Sequence, residues 1–137
     1  MSAVTVVLLA TDADWIFDEV DAALADDDTQ VYRTRAGRHV PAAAAEVDPD
    51  VVILDLQIGN SGGVASALQL RQDEDMDRTR RRFIVMLLDR TADVFMGQMA
   101  KADGWLVKPV DSIRLRRAVR AVQAGEPYFE GMLEPSS

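Results

Sequence analysis

Five apolar runs of strand length recur along this chain: Val4 to Leu9, Gln30 to Thr34, Val51 to Leu54, Phe83 to Leu88 and Trp105 to Val107. Most are continuous where a strand with one wet face would alternate. Val51 to Leu54 and Phe83 to Leu88 contain no polar residue at all. Unbroken runs of this kind belong to strands buried on both faces of a parallel sheet, which requires helices on both sides. The intervening segments change period accordingly. Ile16, Val20, Ala23 and Leu24 follow helical spacing, as do Val64, Ala67 and Leu68, and then Leu115, Ala118, Val119 and Val122.

Strand and helix thus alternate five times. The pattern predicts an α/β flavodoxin-like, doubly wound (βα)5 fold with a parallel sheet in the order 2-1-3-4-5, because right-handed crossovers leave few other arrangements. A dinucleotide-binding fold is disfavoured, since no Gly-x-Gly-x-x-Gly follows the first strand. Turn chemistry agrees with the count: Thr11 precedes Asp14 in a capping-box-like spacing, Pro41 suits a first helical turn, Gly62 and Gly63 open the third helix, and Asp103-Gly104 leads into the last strand. The charged stretch Asp73 to Arg82 reads as a surface loop. Residues 1–125 form one domain, and 126–137 a short, loosely attached C-terminal tail.

A length of 137 residues suits one domain able to bury a core without staples. With no cysteine and one histidine, His39, neither a disulfide framework nor a zinc centre is expected. The first ten residues lack a basic leader and fit a strand better than a signal peptide, and no stretch is long enough to span a membrane, so the expected compartment is the cytoplasm. A net charge of -8 disfavours nucleic acid as a partner. Positive charge is nonetheless clustered at Arg78, Arg80, Arg81 and Arg82 and again at Arg114, Arg116, Arg117 and Arg120. These clusters are either solvated faces or surfaces for an acidic protein.

In open α/β sheets chemistry gathers where the strands end. Those ends carry Ala10, Thr11 and Asp12, then Asp55, then Leu88 and Asp89, then Lys108. An aspartate there is a competent nucleophile toward a phosphoryl group if nearby positive charge offsets its own and the phosphate's. Lys108 supplies such a charge. Taken singly, Asp55 could equally be a capping or turn residue and Lys108 a surface lysine.

The segments Pro49-Asp50-Val51-Val52-Ile53-Leu54-Asp55-Leu56-Gln57 and Ala102-Asp103-Gly104-Trp105-Leu106-Val107-Lys108-Pro109 together resemble the response-regulator receiver domain family, over about Val4 to Gly125. The resemblance implies Asp55 as phosphoacceptor, Lys108 as the phosphate-binding lysine, and a cis peptide before Pro109. It also implies Leu88 and Trp105 at the switch positions. Where receivers carry an acidic pair after the first strand, this chain has Ala10 and Thr11, so the implied metal ligands reduce to Asp55, Gln57 and, with a one-residue loop shift, Asp12. Magnesium, which favours carboxylate oxygens, is expected to bind weakly or not at all. Leu88 stands where a serine or threonine usually donates to the phosphoryl group, and Asp89 adds a repelling charge unless a cation intervenes.

The expectation is an atypical, stand-alone receiver in a two-component phosphorelay, not an enzyme, taking its phosphoryl group from a sensor histidine kinase or phosphotransfer protein and acting on a downstream protein. The alternative is a pseudo-receiver that docks proteins without phosphorylation. A phosphatase-like hydrolase is disfavoured by the lack of further acidic residues. A homodimer through the fourth and fifth helices, near Arg114, Arg117 and Arg120, is a further expectation.

Overall fold

The computed structural model describes residues 4–58 and 62–131. Its strands are β1 (Thr5–Ala10), β2 (Thr29–Thr34), β3 (Val51–Asp55), β4 (Phe83–Leu88), β5 (Gly104–Val107) and β6 (Tyr128–Phe129). The helices are α1 (Asp14–Leu24), α2 (Val40–Val47), α3 (Gly62–Asp75), α4 (Val94–Met99) and α5 (Ser112–Gln123). All neighbouring strands run parallel, in the order β2-β1-β3-β4-β5-β6. The flavodoxin-like order is as expected, with one strand added at its end.

Alternation along the strands splits the core in two. Val7, Leu9, Val51, Ile53, Val85, Leu87 and Leu106 face α1 and α5, where Ile16, Val20, Leu115, Ala118, Val119 and Val122 meet them. Leu8, Ala10, Val52, Leu54, Ile84, Met86 and Leu88 face the other layer, including Val40 and Ala44 of α2 and Ala67 and Leu70 of α3. Since both faces are covered, the inner strands β1, β3 and β4 have no wet side, which is why their sequences do not alternate, while the edge strand β2 alternates in exposure. No helix among the described residues is long and apolar enough to cross a membrane.

Several local expectations change. In α3, Val64 and Ala67 pack on the core as expected, but Leu70 and Arg71 complete the buried face and Leu68 is exposed. That helix runs on to Asp75, so the loop before β4 is shorter than expected. Of the four arginines that follow, Arg78, Arg80 and Arg81 are exposed, as a solvated face would have them, yet each is also paired within the chain. Arg78 pairs with Asp73, Arg80 with Asp48 and Asp50, Arg81 with Asp103, and the buried Arg82 with Asp48. Together with Arg71, which bonds Glu74, Asp103 and the Arg82 and Lys101 carbonyls, they bind the starting ends of the strands to one another.

The tail is not loose where it is described. Tyr128 and Phe129 pair with Gly104 and Trp105, and the absence of a side chain at Gly104 allows the approach: a Cβ there would lie 2.9 Å from the Tyr128 carbonyl oxygen. The remainder of that tail, 132–137, lies outside the described residues.

Candidate functional site

β1, β3, β4 and β5 end side by side, so the residues at or just after their ends converge without any long-range loop. Asp55 is the last residue of β3 and is 2% exposed. Its Oδ1 accepts from the Lys108 ammonium at 2.6 Å and from the Gln57 backbone N–H at 3.0 Å. Its Oδ2 accepts from the Thr11 hydroxyl at 2.7 Å. A carboxylate in a buried site needs such donors, because desolvation otherwise drives it to its neutral form.

Lys108 follows β5, and the Lys108–Pro109 peptide is cis. Its ammonium also donates to Asp89 Oδ1 at 2.7 Å, so one cation bridges two carboxylates. Burial pulls the Lys108 pKa down, but the bonds and charges of Asp55 and Asp89 outweigh it and leave the group above its ordinary value. For Asp89 burial pushes upward, and hydrogen bonds from Lys108 and the Gln57 side chain bring it below the ordinary carboxylate range. The pocket is thus an arrangement of two negative charges about one positive charge.

Ala10, Thr11 and Leu88 occupy the places foreseen for them with different consequences. Ala10 and Leu88 are fully buried in the layer beneath α2 and α3, and neither bears a group that could donate to a phosphoryl oxygen. Thr11 is also fully buried, yet its hydroxyl both donates to Asp55 and accepts from the Ala13 N–H at 3.1 Å. It does not cap α1, whose N-cap is Ala13 with no side-chain bond. Asp12 sits exposed in the turn beside it. Gln57 is also exposed, and it meets Asp55 through its backbone N–H.

Trp105 lies on β5 away from this charge cluster, 2% exposed. Its ring stacks on Phe129 with centroids 4.1 Å apart, and its indole N–H donates to the Glu130 carbonyl at 2.9 Å. α4 also approaches it through Gly97, where a Cβ would come within 2.6 Å of the ring. The indole is thus enclosed by α4 and the C-terminal segment.

Sequence reasoning did not find the Thr11–Asp55 bond, the Lys108–Asp89 pair or the part played by Glu130. Asp89 had been visible only as a repelling charge; the cation that offsets it is Lys108 itself. A threonine beside a strand end carries no signal of its bonding partner, and Glu130 lies in a polar tail with no periodicity.

The chain matches the family model for the response regulator receiver domain over residues 7–120. It is 29% identical over 119 residues to Protein PilH of Pseudomonas aeruginosa, covering 87% of this chain and 98% of that protein. With the Escherichia coli nitrate/nitrite response regulator NarL it shares 26% identity over 113 residues, covering 82% of this chain and about half, 51%, of the relative. Among solved structures, chemotaxis response regulator CheY4 of Vibrio cholerae superposes with a TM-score of 0.76 at 27% identity, over 88% of this chain and 99% of that one. A putative response regulator from Chloroflexus aurantiacus gives 0.79 at 21% identity, covering 88% and 98%, a likeness of fold. With the sheet order, the converging strand ends and the family match in agreement, this chain belongs to the response regulator receiver domain family.

Proposed function

We propose that the chain receives a phosphoryl group on Asp55 in a two-component phosphorelay, with Lys108 binding the phosphoryl oxygens and magnesium contributing little. The observation that carries this reading is the 2.6 Å bond between Lys108 and a buried Asp55 at the carboxyl edge of the sheet. In the transfer, an Asp55 oxygen attacks phosphorus as the bond to the donor nitrogen of a kinase or phosphotransfer histidine breaks. Lys108 faces the charge that develops, and catalysis by positioning and charge is what such a transfer chiefly requires.

The donor set around Asp55 does not fit magnesium. Ala10 offers no ligand, the Thr11 hydroxyl turns its proton toward Asp55, and three donors already compete for the Asp55 lone pairs. Among the described residues no three His, Asp or Glu side chains are grouped to hold a metal. Transfer is therefore assigned to the protein's own charges and is expected to be slow.

A second reading, docking without phosphorylation, is favoured by one observation. Asp89 holds the Lys108 ammonium at 2.7 Å, so the cation is shared before any phosphate arrives. Incubation with a small phosphodonor, with and without magnesium, followed by intact mass separates the two. A gain of one phosphoryl group, lost in Asp55→Asn, supports the first; no gain at any donor concentration leaves the second. Partners follow from the family: a kinase or phosphotransfer protein upstream, and a downstream protein.

A further inference from the structure

Lys108 is gripped along its own backbone from both sides. The Arg114 guanidinium, in the first turn of α5, donates through Nη2 to the Val107 carbonyl at 2.8 Å and through Nη1 to the Pro109 carbonyl at 2.7 Å. One planar group therefore bridges the residues before and after Lys108, whose own N–H donates to the Leu88 carbonyl at 2.8 Å.

Glu130 fixes that guanidinium. Its Oε2 accepts from Arg114 Nε at 2.8 Å and from the Tyr128 hydroxyl at 3.1 Å. Its Oε1 accepts from Arg114 Nη2 and also from the Val107 N–H, the latter at 3.0 Å. Glu130 in turn is held by its backbone, which exchanges bonds with Trp105: the indole N–H reaches the Glu130 carbonyl, and the Glu130 N–H reaches the Trp105 carbonyl at 3.3 Å. Phe129 stacked on the indole and Gly131 against Thr91 complete a strap that runs alongside β5 toward the residues before α4.

We propose that Glu130 and Arg114 are positioning residues for Lys108: the C-terminal strap, acting through the Arg114 fork, holds the backbone from which the Lys108 ammonium reaches Asp55 and Asp89. This stands on the contacts themselves, independent of whether Asp55 accepts phosphate. A fork bonded to two carbonyls defines direction in a way that a single ammonium does not. Because coupling between two sites is reciprocal, attachment of the strap and the Lys108–Asp55 bond stabilise each other.

The test uses the full chain and proton exchange with water read by NMR. In Glu130→Gln the ammonium protons of Lys108 should exchange about fivefold faster or more, the lower end of ordinary coupling between sites. In the reverse direction Lys108→Met should accelerate the Val107 and Glu130 amides by a similar factor and leave Leu8 and Val52, in the middle of the sheet, unchanged. Should that variant fail to fold, Asp55→Asn weakens the same contact with the shape retained. Arg114→Lys keeps the charge without the fork and should behave like Glu130→Gln. No change in either direction, equal acceleration across the whole sheet, or wild-type behaviour in Arg114→Lys would each overturn the proposal.

Discussion

Thr11 donates its hydroxyl proton to Asp55 Oδ2 at 2.7 Å, although the two residues lie 44 positions apart and both are buried. Thr11→Val keeps the shape and removes the donor, so a buried carboxylate oxygen loses a partner. The expected loss of stability is about 1 to 3 kcal/mol in urea melts. Thr11→Ser retains the hydroxyl and should lose less; equal losses would mean that the bond contributes nothing.

Carboxylates in place of Ala10 and Thr11 should create a metal requirement. The double substitution Ala10→Asp and Thr11→Asp brings up to three carboxylates, with Asp55, near one point, and their repulsion is relieved by a divalent cation. Without magnesium the variant should be less stable than wild type, the more so because Ala10 is fully buried among leucines. Added magnesium should return about 2.7 kcal/mol when free metal exceeds its dissociation constant a hundredfold. Wild type should respond little over the millimolar range, and an equal response would show that the present residues already complete a metal site.

The helix phase of α5 sets a contrast between neighbours. Leu115 is fully buried and Arg117 exposed. Leu115→Ala should cost about 2 to 5 kcal/mol in chemical denaturation, and Arg117→Ala no more than about 0.5 kcal/mol.

Asp103 makes stability depend on acid. Burial pushes its carboxyl upward, but the Ile84 N–H and the guanidinium groups of Arg81 and Arg71 hold it below its ordinary value of 3.8. The unfolded chain therefore takes up this proton first. The contribution is fully present above pH 3.8 and is lost as pH falls through the lower, folded value. Asp103→Asn should flatten that part of the stability profile between mild and strong acid; an unchanged slope would assign it to other carboxylates.

Gly97 is the point at which α4 touches the enclosed indole. In Gly97→Ala the new methyl would lie 2.6 Å from the Trp105 ring, which also stacks on Phe129 and is 2% exposed, so the ring has little room to yield. Overpacking of this kind should cost about 1 to 3 kcal/mol and shift the Trp105 emission. An unaltered melt would mean that α4 moves away freely.

The fold was legible because its strongest signals are local. Continuous runs such as Val51 to Leu54 and the spacing of Leu115, Ala118, Val119 and Val122 report burial directly, and all eight residues are buried. Asp55 and Lys108 were legible through their flanking segments, and the structure places them in contact. What stayed hidden depends on contacts between distant positions. In α3 Val64 and Ala67 marked the core side but Leu68 did not, because the face turns toward Leu70 and Arg71, the latter buried by its bonds to Glu74 and Asp103. The two-residue β6 is too short to carry a period, and its place is decided by the gap at Gly104 and the anchor at Glu130.

That short strand also bears on how the molecule meets its own kind. Any exposed sheet margin is a template on which another chain can polymerise, and proteins commonly blunt it with brevity or charge. Here β6 substitutes a margin of two residues for one along β5, leaving an incoming chain few backbone groups to pair with. At the opposite margin β2 is six residues long, and its Arg33 turns in toward α1, bonding Asp14 and the Thr11 carbonyl. Growth by strand addition is thereby discouraged at the β6 margin, whereas β2 keeps a full-length edge.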